Sequence, residues 1–220
     1  MSRKYKFIYL HVLKSGGMSL KTFLKMGMCG TVDVVRKRGC GPNDDFELME
    51  IVDCSKAVKT HPGYLIWSFV RNPYGRMYSA FSMAKHGHKR PGSTDDTTFE
   101  MFAENTGVMG KVSTTSPAHW ANQVNYVFTS KGTCPAVDFL GRIEFLHEDM
   151  AALLKVIKSP ELDKYFKEVG IGQARETSFG ARLAGNSSLA KRYTGNSQAN
   201  TAKHFKRDFA VLGYDPAIIP

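Results

Sequence analysis

The order of apolar and helical stretches predicts an α/β fold, a three-layer sandwich around a central, mainly parallel sheet. Three observations carry this. The first apolar run, "FIYLHV" (7–12), gives way at Lys14-Ser15-Gly16-Gly17 to a segment with helical periodicity. The same succession recurs at "LIWSFVRNPYGRMYSAF" (65–81). A third run, "AVDFLGRIE" (136–144), is followed by "HEDMAALLKVI" (147–157). Strands alternating with helices through polar turns form the pattern of a parallel sheet with helical crossovers.

Phe7, Ile8, Tyr9, Leu10 and Val12 are the aromatic, β-branched and aliphatic types that suit a buried strand. From Met18 the period changes, and Leu20, Phe23 and Leu24 fall on one helix face. "TVDVV" (31–35) predicts a short strand, "RKRGCGPNDD" (36–45) a charged loop and "FELMEIV" (46–52) a short helix. A strand is expected up to Thr60, then a Pro-Gly turn and a stronger strand at Leu65–Val70. Pro73 marks the next helix start, where its missing N–H costs least. "HGHKRPGSTDD" (86–96) reads as a mobile loop, with helical pieces at 97–104 and 117–128. The helix over 147–157 has acids in its first turn. Residues 170–200 are rich in Gly, Ser and Asn and read as loops over a site. A last helix ends at Gly213. With no internal repeat or long linker, residues 1–220 read as one domain.

The composition, 42% apolar and 11% aromatic, is that of an ordinary globular protein. Thirty Lys and Arg against 20 Asp and Glu give a formal charge of +10, which favours an anionic partner: nucleic acid, an acidic glycan or a multiply charged cofactor. No run approaches the ~18 apolar residues of a membrane span. "MSRKYK" is basic, but His11 and Lys14 interrupt the apolar stretch behind it, unlike a signal peptide. Cys29, Cys40, Cys54 and Cys134 show no CxxC or Cys/His zinc spacing, so reduced thiols in a cytoplasmic protein and no metal site are expected.

A strand, a glycine turn and a helix N-terminus gather backbone N–H groups around one point, which favours an anion. The loop at Lys14 has this form, yet it is not the nucleoside-triphosphate loop GxxxxGK[ST], because the lysine precedes the glycines. A tight turn with an exposed lysine is the plainer alternative. The second turn repeats the logic. Arg71 leaves a strand end and can hold a phosphate with a bidentate fork. Ser79 follows about two helical turns later, where its hydroxyl could face the same anion, and Arg76 is the helix's spare cation. Two such turns suit a nucleotide with separate 5′ and 3′ phosphates better than they suit ATP.

These residues resemble a family. "HVLKSGGMSL" is similar to the 5′-phosphosulfate loop of sulfotransferases, commonly HxPKTGGTS, and "FVRNPYGRMYSAF" to their 3′-phosphate segment, VRxPxxRxxSxY. "HWANQ" (119–123), "VDFLGRIEFLHEDMAALLKVI" (137–157) and "DFAVLGYD" (208–215) resemble the HWxPQ, DFIGxxExLxxD and DFxxFGY elements of the carbohydrate sulfotransferase branch, in the family's order. Leu13 replaces the common proline, and Met18 replaces a small hydroxyl residue, removing one hydrogen bond to phosphate. The resemblance implies a P-loop-like sulfotransferase fold and 3′-phosphoadenosine 5′-phosphosulfate (PAPS) as donor, leaving adenosine 3′,5′-bisphosphate. It implies that the amides of Ser15, Gly16, Gly17, Met18 and Ser19 wrap the 5′-phosphate, with the Ser19 hydroxyl on the same group. Lys14 then neutralises the bridging oxygen as the sulfuryl group leaves, and Arg71 and Ser79 take the 3′-phosphate.

The acceptor hydroxyl needs a general base, and histidine has the right pKa range. "VKTHP" is similar to the KTHxP segment bearing the catalytic histidine of cytosolic sulfotransferases, so His61 is the first candidate and His119 the second. A strand-capping loop histidine and a partly buried histidine beside Trp120 are their plain readings. Trp67 reads as core. The expected acceptor is a saccharide, with no nucleic acid beyond the donor and no membrane span. The expected compartment is the cytoplasm, unless the chain is a soluble fragment of a Golgi-type enzyme. A small cytoplasmic natural product is an alternative acceptor. A P-loop-like small-metabolite kinase and a non-catalytic module binding nucleic acid or acidic glycan are the competing functions.

Overall fold

The computed structural model describes residues 1–29, 61–87, 98–105, 119–128, 136–171 and 189–220. The elements expected at 31–35, 36–45, 46–52 and 56–60, and most of the 86–96 loop, lie outside these residues, as do Cys40, Cys54 and Cys134. In chain order the described elements are β1 (Phe7–Leu10), α1 (Gly17–Cys29), β2 (Leu65–Val70), α2 (Pro73–Gly87), α3 (Phe99–Glu104), α4 (Val124–Val127), β3 (Phe139–Arg142), α5 (Leu146–Ile157), α6 (Pro160–Glu168), α7 (Gly195–His204) and α8 (Lys206–Leu212). Short 3-10 turns occupy Ile143–Phe145 and Leu189–Arg192. The chain divides into two compact units, each made of two stretches: Met1–Val70 with Asn125–Ala184, and Arg71–Val124 with Gly185–Pro220.

The first unit carries the sheet. Its three strands are parallel in the order β1-β2-β3, with Phe7 opposite Leu65, Leu10 opposite Ser68 and Val70 opposite Arg142. The expected α/β class is therefore what the chain forms. β1 is apolar throughout and buried along its whole length, as a strand covered on both faces must be. On one face Phe7, Tyr9, Trp67 and Phe69 pack with Leu20, Phe23 and Leu24 of α1, four residues of α5 and Leu162 of α6. Burying each such side chain contributes about 1.5–3 kcal/mol. Trp67 is the core residue expected, fully buried and stacked on Tyr9 with ring centroids 4.5 Å apart.

α5 stops where Lys158 turns left-handed, and α6 begins at once. The α6 helix is absent from the sequence-based expectation, although its start signal is plain. Ser159 accepts from the Leu162 N–H at 3.3 Å, and Pro160 occupies the first helical position.

In the second unit, α2 starts at Pro73 as expected, and Asn72 caps it by accepting the Tyr74 N–H at 2.9 Å. Tyr74, Met77, Ala80 and Phe81 of α2 form a core with Phe102, Trp120, Phe205 and Phe209. Three expectations change here. The stretch 170–200 is not loop throughout: Thr194 and Ser197 make a capping box that starts α7 despite the polar composition. The last helix is two helices, broken at the buried Phe205, and Gly213 ends the second one at φ 69°. Of the helix expected over 117–128, the described residues are α-helical over Val124–Val127, and Asp208 accepts the Gln123 and Val124 N–H groups at its start.

Candidate functional site

Beyond β1 the chain reverses twice within three residues. Lys14 has φ 68° and Gly16 φ 70°, both left-handed. The Ser15 N–H donates to Val12 O at 3.3 Å, and the helical ladder opens with the Leu20 N–H on Gly16 O at 3.1 Å. The first-turn N–H groups of α1, from Gly17, Met18 and Ser19, have no partner inside the helix, as at any helix start. Ser15 is buried, Ser19 is half-buried and Met18 is exposed.

Gly17 is required by space and Gly16 by its backbone conformation. A Cβ on Gly17 would overlap the His11 imidazole, which packs against the start of α1. A Cβ on Gly16 would overlap Ile143 Cδ1, besides placing an alanine at positive φ. Gly16→Ala should therefore lose about 1–3 kcal/mol of stability. Urea unfolding of the variant checks this, and an unchanged midpoint would mean that the turn relaxes without strain.

The turn beyond β2 is held differently. The carboxamide of Gln123 accepts the Arg71 N–H at 2.9 Å and donates Nε2–H to Arg71 O at 2.8 Å. The Arg71 side chain lies over the first turn of α2, where a Cβ on Gly75 would stand 2.9 Å from its Nε. Ser79 is one helical turn beyond Gly75, so the two share a face. Ser79 is buried. The structure thus brings Arg71 and Ser79 onto one side of α2.

Arg76 is not the spare cation that the sequence suggested. It is fully buried, donates Nη1–H to Ala121 O at 2.7 Å and lies over the Phe205 ring at 5.5 Å. Burial pushes the Asp208 carboxyl upward, against the bonds from the Gln123 and Val124 N–H groups and the nearby positive charge of Arg76. Gln123 and Asp208 lie inside "HWANQ" and "DFAVLGYD", and nothing local in those stretches assigns them a role. The available signal was a carboxylate on the face that otherwise carries Phe205, Phe209 and Leu212, at helical spacing.

The two candidate histidines occupy different surroundings. His61 opens a turn with Gly63 at φ 80°, its carbonyl accepts the Tyr64 N–H at 3.3 Å, and its ring meets that of Tyr64 edge-on. This turn enters β2 beside the start of β1, since the Leu65 N–H bonds Lys6 O at 2.8 Å. The Lys14 turn follows the other end of β1, where Leu10 pairs with Ser68. Roughly 10 Å of strand, three steps at ~3.3 Å per residue, separates the two ends of β1. Parallel pairing therefore does not bring His61 and Lys14 together. His119 begins the turn that delivers Gln123 to Arg71, and the His204 Nε2–H donates to the carbonyl of neighbouring Trp120 at 2.8 Å.

Three parallel strands flanked by helices, with a lysine-glycine turn between β1 and α1, define an α/β protein. The model of the Sulfotransferase family matches residues 1–215, and the chain belongs to that family. It is a transferase of the sulfuryl group. The chain matches no curated protein and no solved structure. Among the described residues no helix is long and apolar enough to cross a membrane, and no cluster of three metal-ligating side chains occurs.

Proposed function

We propose that the donor is PAPS and that the acceptor is a hydroxyl, on a carbohydrate. The observation that carries the donor reading is the turn from β1 into α1, left-handed at Lys14 and Gly16, which opens a helix N-terminus to an anion. The turn after β2 offers, by itself, an arginine and a serine on one side of α2. The amides of residues 15–19 and the Ser19 hydroxyl hold the 5′-phosphate, and Arg71 with Ser79 holds the 3′-phosphate. Gly16 and Gly17 fit this reading, because Gly16 supplies the left-handed turn and Gly17 lets His11 pack against the start of α1, which fixes the backbone there. The donor supplies the sulfuryl group. Lys14 supplies positive charge to the leaving oxygen, and a histidine removes the acceptor proton. His119 is taken as the base, because His61 enters β2 at the end opposite the Lys14 turn. The carbohydrate acceptor rests on the likeness of "HWANQ", "VDFLGRIEFLHED" and "DFAVLGYD" to the carbohydrate branch. Residues 1–220 act as a single domain, and the cytoplasm is the proposed compartment.

The donor is tested by thermal unfolding with three nucleotides. Adenosine 3′,5′-bisphosphate should raise Tm more than adenosine 5′-phosphate does, because only the bisphosphate engages Arg71 and Ser79. Equal shifts would remove the second anion site. A larger shift with ATP and magnesium would favour the kinase reading. An acceptor screen with labelled PAPS, read by mass spectrometry, identifies the hydroxyl.

A further inference from the structure

Resting on that donor reading, we propose that Gln123, held by Asp208, is the positioning residue that aims Arg71 and thereby sets the preference for a nucleotide bearing a 3′-phosphate. Arg71 is the first residue past the last ladder position of β2, where a strand end ordinarily loosens. Its own N–H and C=O are instead paired by one side chain, at 2.9 and 2.8 Å. The carboxamide thus stands in for a neighbouring strand. Gln123 is in turn fixed at both ends, because its main-chain N–H and its Nε2–H donate to Asp208 Oδ2 at 2.9 and 3.3 Å. Asp208 Oδ1 takes the Val124 N–H at 3.1 Å, and both Gln123 and Asp208 are fully buried. A desolvated network of this kind has few alternative arrangements.

Only a primary amide combines an acceptor for Arg71 N–H with donors for Arg71 O and Asp208. A carboxylate there would leave Arg71 O without its donor and would face Asp208 with like charge. A bidentate guanidinium–phosphate pair needs its fork directed correctly, and displacement by about 1 Å is enough to lose ~10² in a positioned interaction. The bonds to Asp208 explain why Gln123 is rigid. The bonds to Arg71 give that rigidity a consequence for the ligand.

The test is calorimetric titration of wild type, Gln123→Glu and the double variant Gln123→Glu with Asp208→Asn. Each is titrated with adenosine 3′,5′-bisphosphate and with adenosine 5′-phosphate. In Gln123→Glu the affinity for the bisphosphate should fall by at least about tenfold, equivalent to ~1.4 kcal/mol. The affinity for the 5′-phosphate should stay within about twofold, since that ligand uses the turn after β1. In the double variant the new asparagine removes the like charge and can donate to the new carboxylate, but its single oxygen replaces only one of the two that accept the main-chain N–H groups of residues 123 and 124. Arg71 O still lacks its donor there, so the preference stays below wild type. If the single variant fails to fold, the double variant carries the test, and a wild-type preference in it overturns the proposal. A folded Gln123→Glu that keeps the wild-type preference, or loses both nucleotides equally, also overturns it while leaving the donor reading intact. A wild type that does not distinguish the two nucleotides removes the donor reading and this inference with it.

Discussion

Lys14→Ala is expected to slow sulfuryl transfer at saturating donor by about 10²–10³, the usual effect of removing one preorganised group that stabilises developing charge. Binding of adenosine 3′,5′-bisphosphate should weaken far less, because the lysine's charge matters most while the bridging oxygen becomes a leaving group. The backbone makes this a clean substitution. Lys14 sits at φ 68°, an uncommon conformation for any residue with a Cβ, and alanine meets the same strain as lysine. The fold of the turn should therefore persist, and the loss should read as charge. Single-turnover transfer from labelled PAPS, beside a titration with the bisphosphate, measures both quantities. A near-wild-type rate in the variant would free Lys14 from its assigned role and leave the amides of residues 15–19 as the main source of stabilisation.

His119→Ala should cost about 10²–10⁴ in transfer rate, the range for loss of a general base. Nucleotide binding should be nearly intact. His61→Ala should be close to wild type, because its turn enters β2 at the end remote from the Lys14 turn. In the wild type the rate should rise with pH as the base loses its proton. That rising limb should vanish in His119→Ala and persist in His61→Ala. Single-turnover rates from pH 5.5 to 9 separate the two, with folding verified by the bisphosphate-induced rise in Tm. The reverse outcome, a lost limb in His61→Ala alone, would return the base to "KTHP".

The preference between these histidines shows how far local pattern reaches. "VKTHP" carries a motif likeness but no direction. It says that a histidine precedes a strand and not at which end of the sheet that strand begins. The register of Phe7 with Leu65 supplies the direction, and it comes from pairing between segments 58 residues apart, as 65 − 7 shows. Arg76 is a similar case. Its place in the helix after Arg71 reads as one more cation, and only the Ala121 carbonyl and the Phe205 ring around it show that the charge is spent inside a core.

What the sequence determined by itself was whatever neighbouring residues encode between them. The β-branched and aromatic runs mark β1 and β2, the two glycines mark the turn into α1, and Asn72-Pro73 marks the start of α2. The two turns were legible for the same reason: a lysine and two glycines after a strand, and an arginine before a proline-started helix, are short-range patterns. The tertiary structure decided what depends on groups brought together from afar. Gln123 lies 52 residues from Arg71 and 85 from Asp208. Their contacts leave no periodicity and no spacing in the chain. A carboxamide can satisfy a distant backbone only after the core of Tyr74, Trp120, Phe205 and Phe209 has packed and excluded the water that would otherwise take those bonds.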